Sequence, residues 1–394
     1  MRLTLTDEQT LIQSSALDWL AGCYDFRQRE ASLHRDGGSP ETWTAFAEMG
    51  WLGLPIPEEA GGLGMGPLET GLLMQAFGRH LVTEPWHACV LQAGRLLALV
   101  GTPEQRADLL PGLVAGESRL ALAHMEPGDR LPWTSRQTKA AKTASGWRLQ
   151  GEKRQVVGGA GASRWIVSAA AENGTRLFLV DPAAEGVRVD AYDTTTGGRA
   201  ADIVFDGASA EECEPATSSA DTVALLHEVI AEGILARAWE ATGTMQAALA
   251  QTAAYTQQRR QFGQSLSQFQ VIQHRLAEMA VQCTEAQAAC ELAAMRVALD
   301  GSSAIAMADF VKTKVGRAAR FVGQEAVQLH GAMGVCEELP VAAMFRALLA
   351  FGQQDGDAPS HATWLGDLLL SDKDYVYSQT LREATAPSRT TATV

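Results

Sequence analysis

The stretch Tyr255-Thr-Gln-Gln-Arg-Arg-Gln-Phe-Gly263 decides how the rest of the chain is interpreted. It lies at the break between two long segments of helical periodicity and combines two arginines, an amide, an aromatic ring and a glycine. Cationic side chains and free backbone donors at such a break can hold an anion. On physical grounds alone a solvated basic turn is the simpler interpretation, and an anion site is the alternative.

Working outward, the chain on both sides of this break is predicted to be helical. Alanine- and leucine-rich segments with helical spacing cover roughly 221–257, 267–300 and 303–330, and a last one lies near 359–381. Four such segments predict a C-terminal four-helix bundle.

Upstream, the first third of the chain also predicts helices. Thr6 with Gln9 has the spacing of a capping box, and a cap residue precedes proline at Ser39-Pro40 and Thr102-Pro103. Pro67 is a further candidate for the first residue of a helix.

Between about 119 and 205 the hydrophobic pattern changes to short β-rich runs, which predict a small antiparallel β domain. Trp147–Gly151 followed by 152–157 is typical of two strands around a glycine turn or bulge. The fold class is therefore α+β: an N-terminal helical domain, a middle antiparallel β-barrel-like domain and a C-terminal four-helix bundle. The expected boundaries are 1–117, 118–215 and 216–382, with a disordered tail over 383–394.

The composition limits the class of protein. The 394 residues are 46% hydrophobic, which is enough for a large core over two or three packed domains. A formal net charge of -14 without clustered cations argues against nucleic acid as a main partner. The sequence predicts neither a signal peptide nor a membrane span, so the expected location is the cytoplasm. Six scattered cysteines without paired spacing predict mostly buried thiols and no metal site.

The stretch that ends in Phe262-Gly263 resembles the signature of the acyl-CoA dehydrogenase family. That signature has a tyrosine, three residues, an arginine, two residues, Phe-Gly, and a glutamine at the start of the next helix. The resemblance implies an FAD cofactor, with Arg259 on the FAD pyrophosphate of the neighbouring subunit. It also implies a hydrogen bond from Gln261, packing of Phe262 on the cofactor, and Gln270 close behind.

A second match, Gln328-Leu-His-Gly-Ala-Met-Gly334, resembles the family's glycine-rich turn near the FAD adenine. It implies FAD contacts from Gln328, Gly331 and Ala332. A glycine-rich helix end by itself is usually only a C-cap, so the two matches together carry the resemblance. Met49–Gly64 resembles the family's stretch between its N-terminal helices, which extends the resemblance over nearly the whole chain.

The flavin-contacting segments depart from the family pattern. In Ala123–Arg130 the Glu126-Pro127 portion matches, but the family's Gly-Ser-Asp is absent. The family's Trp-Ile-Thr or Ser aligns with Gln155-Val156-Val157, so the hydroxyl that would meet the flavin is missing. The resemblance implies that Met125 and Val157 contact the flavin and that this chain's own half of the site is weakened.

The catalytic base also departs from the pattern. Dehydrogenation of a thioester needs a carboxylate to take the α-proton while hydride leaves the β-carbon for FAD. Counting from Arg346, the family's glutamate aligns with Asp355, whose reach is shorter by roughly 1 Å, a change that can cost on the order of 10²-fold in rate. Asp355 is therefore the candidate base, with two alternatives open. In the first alternative, Asp355 is only a turn residue and a partner subunit supplies the base. In the second, the base lies on an earlier helix, where the aligned position is Gly233 and the neighbouring Glu232 points about 100° away around the helix.

The chain most resembles the small subunit of pimeloyl-CoA dehydrogenase and other heteromeric acyl-CoA dehydrogenase subunits. It shares with them the sequence motifs Arg-Arg-Gln-Phe-Gly, Gln273-His274-Arg275 and Gly356-Asp357-Ala358. The resemblance implies a subunit that forms a 2,3-enoyl-CoA, is reoxidised by an electron-transferring flavoprotein and works as a homo- or hetero-oligomer, a dimer or tetramer. The alternatives are a non-catalytic subunit that completes a partner's FAD site and an Asp-dependent flavin oxidase of the same fold.

Overall fold

The structure of the protein, a computed structural model, describes residues 4–36, 38–133, 136–144, 146–214 and 221–371. The expected tail at 383–394, the expected helical residues 372–381 and the expected boundary at 215/216 lie outside the described residues.

The N-terminal part is helical, and the predicted caps are present. The Thr6 hydroxyl accepts from the Gln9 backbone at 3.2 Å while the Gln9 side chain accepts from the Thr6 backbone at 3.0 Å. Ser39 and Thr102 cap helices that begin with proline, and Pro67 opens a further helix. The helices are α1 (Asp7–Cys23), α2 (Phe26–Ser32), α3 (Pro40–Glu48), α4 (Pro67–His80), a π-helical segment (His87–Gly94) that continues into α5 (Arg95–Val100), and α6 (Pro103–Val114).

The middle part is a seven-stranded sheet, and it differs from the prediction in one respect. Strand β1 pairs with β4 in parallel, as β2 does at one position, so the sheet is mixed rather than wholly antiparallel. The β2–β3 hairpin lies in sequence between β1 and β4 and supplies the crossover that parallel neighbours need. The strands are β1 (Leu120–Ala123), β2 (Lys139–Thr143), β3 (Gly146–Val157), β4 (Arg164–Ala171), β5 (Gly174–Val180), β6 (Val187–Asp193) and β7 (Arg199–Glu212).

The prediction of two strands around a glycine turn or bulge at Gly151 is wrong in its strand count. Strand β3 is one strand over Gly146–Val157, with register shifts against β7 at Leu149/Gln150 and Lys153/Val156. Gly151 has a φ of +148°, and a Cβ there would lie 2.7 Å from the Thr138 Cα. The glycine therefore permits close approach of β2 and does not mark a turn.

The C-terminal part contains one more helix than the four that the sequence predicts. The unpredicted helix, Pro340–Gln353, packs against two of the long helices, and the proline at its first position is a start signal from which it could have been predicted. The elements are α7 (Thr222–Gln258), β8 (Arg260–Gln261), β9 (Gln264–Ser265), α8 (Gln270–Leu299), α9 (Ala304–His330), α10 (Pro340–Gln353) and α11 (Ala358–Ser371).

Helix α7 lies directly against α4, which ties the N-terminal helices to the C-terminal ones. A Cβ at Gly78 would lie 1.9 Å from the Glu240 backbone oxygen, and one at Gly243 would lie 2.0 Å from the Gln75 oxygen. Glycine at both positions is thus what allows the two backbones to meet. One hydrophobic cluster extends through both sets of helices, and a second fills the interior of the sheet.

Throughout the part of the chain that the structure describes, we find no helix with the length and apolar character needed to cross a membrane.

A buried ion pair joins β3 to the segment that follows β1. The Lys153 ammonium, fully buried, donates to the Glu126 carboxylate at 2.7 Å and to the His124 carbonyl at 3.1 Å. Glu126 also accepts from the backbones of Gln137 and Thr138 at 2.6 and 3.0 Å. Burial alone would raise the pKa of Glu126, but the Lys153 charge and these hydrogen bonds lower it to about 2. The pair holds the loop that contains Met125 against the sheet.

Replacing Glu126 by glutamine leaves the Lys153 ammonium buried without a counter-charge. We expect Glu126→Gln to lower the free energy of unfolding by roughly 3–5 kcal/mol, measured by urea denaturation at pH 7. The matched control is Glu152→Gln on the same strand, which removes a half-exposed ion pair to Arg154 and should cost less than about 1 kcal/mol.

The pH dependence has a definite sign. Because the folded pKa of Glu126 is lowered to about 2, its stabilisation is present above the unfolded value of about 4.3 and is lost as the pH falls toward 2. The difference between the wild type and Glu126→Gln should therefore shrink over that range. A difference that stays constant down to pH 2 would contradict the assignment.

Candidate active site

A cavity of about 620 Å³ lies between the sheet, α7 and α10. Its wall combines apolar side chains with many polar and charged ones, so the cavity could hold a ligand that has both apolar and polar groups. Met125, Val157 and Asp355, predicted from three distant parts of the sequence, all line it.

The sheet side of the cavity is built by the end of β3 and the loop after β1. The Arg154 backbone donates to the Met125 carbonyl at 2.8 Å, which fixes the loop to the strand. Val157 pairs with Ala200 on β7, so its position is set by the sheet. Gln155 has a φ of +54° and its backbone donates to the Asp202 carboxylate at 3.0 Å. The wall is therefore made largely by backbone that the sheet holds in place.

Asp355 lies in the turn between α10 and α11. Its φ is +56°, and Gly356 follows at +100°, so two successive residues have left-handed backbone. The buried His361 ring donates through Nε2 to the Asp355 carbonyl at 2.8 Å, and its Nδ1 lies 2.6 Å from the buried Asp309 carboxylate. Asp309 on α9 thus positions the turn through His361.

Lys312 fixes the other side of this turn. Its buried ammonium donates to the Phe351 and Gln354 carbonyls, which are free at the end of α10, and lies 4.2 Å from the centre of the Phe351 ring. Burial lowers the pKa of Lys312 to about 8, and the Asp355 charge acts in the opposite direction. The half-buried Asp355 side chain is therefore attached to a backbone that α9 holds from two directions.

Glu232, the neighbour of the alternative base position, does not line the cavity. Its carboxylate makes two hydrogen bonds to Arg95, at 2.5 and 2.8 Å. A Cβ at Gly233 would instead lie 2.9 Å from Gln92 Nε2 and 3.1 Å from His87 Nε2, beside the cavity. The one-residue offset thus turns Glu232 to another face of α7.

The remaining predicted site residues form a separate group on an exposed face. None of them lines the 620 Å³ cavity, and all are exposed; Phe262 is 89% exposed with a φ of +53°. The ends of α7 and α9 meet there, because the Tyr255 hydroxyl donates to the His330 carbonyl at 3.3 Å and the two rings stack with centres 4.4 Å apart. The group is Arg259, Gln261, Phe262, Gln270, Gln328, Gly331 and Ala332.

The two groups are far apart within one chain. Arg237 lines the cavity from α7, and Arg259 follows the last residue of the same helix. At 1.5 Å per residue, the 22 residues between them correspond to about 33 Å. The structure therefore brings the predicted residues together as two sets and not as one site.

Several residues around the cavity were not predicted from the sequence. Lys312, Asp309 and Arg237 lie on long helices where a single charged residue is usually solvent-exposed, so periodicity carries no signal for them. His361, six residues after Asp355, could have been noticed as a polar residue in an otherwise apolar segment of α11.

Comparisons with known proteins agree with this architecture. Residues 6–117 match the model of the acyl-CoA dehydrogenase N-terminal domain, and residues 224–362 match that of the C-terminal domain. Acyl-CoA dehydrogenase FadE28 of Mycobacterium tuberculosis is 30% identical over 76% of this chain and 84% of its own length. FadE27 of the same organism is 29% identical over 83% and 87%. The solved ChsE4-ChsE5 complex from Mycobacterium tuberculosis superposes with a TM-score of 0.85 at 26% identity, covering 94% of this chain and 100% of the other.

The left-handed turn at Gly356 generates a stability prediction. A Cβ there would lie 2.4 Å from Leu131 Cδ2 and 2.9 Å from His361 Nε2, at a φ that side chains rarely adopt. We expect Gly356→Ala to lower the free energy of unfolding by roughly 1–3 kcal/mol. Gly352→Ala is the control, since open space surrounds Gly352 on α10, and it should be neutral or stabilising by up to about 1 kcal/mol. Equal effects in urea denaturation would contradict the account of this turn.

Proposed function

The chain belongs to the acyl-CoA dehydrogenase family of FAD-dependent oxidoreductases, and from that premise we propose that it forms a 2,3-enoyl-CoA from an acyl-CoA. One observation carries the proposal: the Asp355 carboxylate and the two residues expected at the flavin, Met125 and Val157, line the same cavity. A base and a cofactor wall within one cavity are what removal of an α-proton with hydride transfer requires.

The cavity suits a flavin ring. Its sheet side is held in place by the pairing of β3 with β7 and includes Met125, Val157 and Ala200 among polar side chains, and its volume of about 620 Å³ leaves room for a flavin ring and a substrate. Bound FAD supplies the acceptor for the hydride. Met125 and Val157 would hold the ring in this chain, and the positioned backbone compensates for the hydroxyl that is absent at Val157.

The exposed group around Arg259 supports a cofactor shared between subunits. These residues lie about 33 Å along α7 from the chain's own cavity, too far to hold the pyrophosphate of an FAD whose ring is in that cavity. Phe262 and Val335, 89% and 66% exposed, are apolar side chains on the same face that another chain would cover. In the proposed assembly, a dimer or tetramer, this face completes the FAD site of a neighbouring subunit.

Asp355 is the proposed base. In this role its carboxylate takes the α-proton of the thioester. Lys312 on α9, and Asp309 on α9 through His361, hold the turn in place. The side chain is one methylene shorter than glutamate, so the backbone at φ +56° has to bring the carboxylate closer to the substrate. An electron-transferring flavoprotein is the proposed partner for reoxidation.

A second candidate role is a subunit that completes a partner's FAD site without supplying the base. The observation that favours it is that Asp355 is held through its backbone, by the bond from His361, in a left-handed turn where aspartate is common for conformational reasons. The similar ChsE4-ChsE5 protein is a complex of two named chains, which supports an unlike partner.

Asp355→Asn separates the two roles. We expect it to slow the bleaching of the flavin band by acyl-CoA by roughly 10²–10⁴-fold, because the amide cannot take the proton, with the FAD content unchanged. The measurement is stopped-flow absorbance under anaerobic conditions, on the assembly that retains flavin. Asp367→Asn on the exposed face of α11 is the control. An unchanged rate in Asp355→Asn would mean that a partner subunit supplies the base. If the reduced flavin is reoxidised rapidly when oxygen is then admitted, the result would favour the flavin oxidase.

Two adjacent arginines test the shared cofactor site. Arg259→Met removes the proposed pyrophosphate contact and should lower the FAD content of the purified assembly at least fivefold, since a charge-assisted hydrogen bond to phosphate contributes roughly 1.5–3 kcal/mol. Arg260→Met is the matched control, because Arg260 falls outside the signature and its exposed guanidinium donates to the Gly263 carbonyl at 3.3 Å. A loss of FAD that is equal in both variants would count against a specific role for Arg259.

A further inference from the structure

A second, smaller cavity adjoins the proposed active site. It has a volume of about 130 Å³ and lies between α4, α7 and α10. Ala88, Val157, Arg237 and Gln354 line both cavities, so the two spaces adjoin each other at these residues.

His87 faces the smaller cavity with an unused ring nitrogen. The residue is 7% exposed, its Nε2 donates to the Gly233 carbonyl at 2.9 Å, and its buried Nδ1 has no hydrogen-bond partner among the described residues. Because a carbonyl can only accept, Nε2 carries the proton, and Nδ1 of the neutral ring is a hydrogen-bond acceptor. Burial, together with the nearby Arg237 charge, lowers the pKa of His87 well below its usual value and keeps the ring neutral.

Arg237 faces the same space with an unused donor. Its Nη1 donates to the Gln354 side chain, and its buried Nε has no hydrogen-bond partner among the described residues. Glu240, three residues further along α7, lines the same cavity; burial raises the pKa of its carboxyl group, and the Arg237 charge acts in the opposite direction. The Gly233 carbonyl accepts from His87 and, within helix α7, also from the backbone N–H of Arg237. His87 and Arg237 are therefore close to the same carbonyl group.

We propose that this smaller cavity is a subsite for a hydroxyl group carried by the acyl part of the substrate. The hydroxyl accepts from Arg237 Nε–H and donates to His87 Nδ1, which satisfies both buried atoms at once. An acyl group that ends in a methyl leaves Arg237 Nε and His87 Nδ1 unpaired. One that ends in a carboxylate cannot donate a hydrogen bond to His87 Nδ1. The proposal rests on the proposed function, since it names the class of acyl-CoA that the same site takes.

The selectivity comes from the groups left unpaired. A site that buries an acceptor and a donor rejects a ligand without the matching group, because both must lose their water without replacement. We therefore expect an acyl-CoA with a hydroxyl at the far end of the acyl group to bind at least tenfold more tightly than the otherwise identical compound with a methyl group.

The test is calorimetric titration of the FAD-loaded assembly with trans-2-enoyl-CoA compounds, which are products and undergo no dehydrogenation. At each of several chain lengths, three probes differ only at the last carbon: methyl, hydroxymethyl or carboxylate. The expected result is a chain length at which the hydroxyl probe binds at least tenfold more tightly than the methyl probe. His87→Phe and Arg237→Met should abolish that preference, while His274→Phe, an exposed histidine on α8, should keep it.

Each other outcome overturns the proposal. Equal affinity for methyl and hydroxyl probes at every length would mean that the cavity holds only water, and tighter binding of the carboxylate would assign it to an anion. Both outcomes leave the proposed function intact. Failure of all the thioesters to bind would overturn the proposed function together with the subsite. The comparison of probes on the unmodified protein decides the matter even where a variant fails to fold.

Discussion

Helix α7 is the constraint on which the arrangement of the site depends. Its 37 residues run without interruption from Thr222 to Gln258. Gly243 on α7 and Gly78 on α4 allow the middle of the helix to pack closely against α4. Because the helix is rigid and rises 1.5 Å per residue, the cavity end and the Arg259 end are separated by about 33 Å. In the proposed enzyme, each chain therefore supplies two half-sites, and a second chain completes each of them.

The turn around Asp355 is the second determinant. Lys312 and the Asp309–His361 pair hold it through backbone carbonyls, so the position of the turn is independent of the chemistry of the Asp355 side chain. This arrangement is compatible with a base of shortened reach and with a turn that only closes the cavity. Arg237 connects helix α7 to the turn around Asp355, because its side chain donates to Gln354. Arg237 also lines the smaller cavity.

Much of the fold could be predicted from the sequence because its signals are local. The caps at Thr6, Ser39 and Thr102 depend on residues within one helical turn, and the structure contains them. The parallel pairing of β1 with β4 depends on partners more than 40 residues apart and leaves no local pattern. The helix at Pro340–Gln353 was missed even though the proline at its first position is a local start signal.

The candidate site was predictable to the extent that its residues belong to a family pattern. Met125, Val157 and Asp355 were identified in that way, and the structure brings the three to one cavity. His87 and Arg237 could not be found from the sequence, because an unpartnered buried atom is a property of packing and not of residue type.

The most direct test of the shared site is the distribution of flavin between oligomeric states. The purified chain, alone and with a candidate partner chain, would be separated by size while its absorbance at flavin wavelengths is recorded. The account predicts that flavin elutes only with a dimer or larger assembly and is absent from any monomer. A monomer that retains stoichiometric FAD would contradict it, because one chain would then hold both halves of the cofactor.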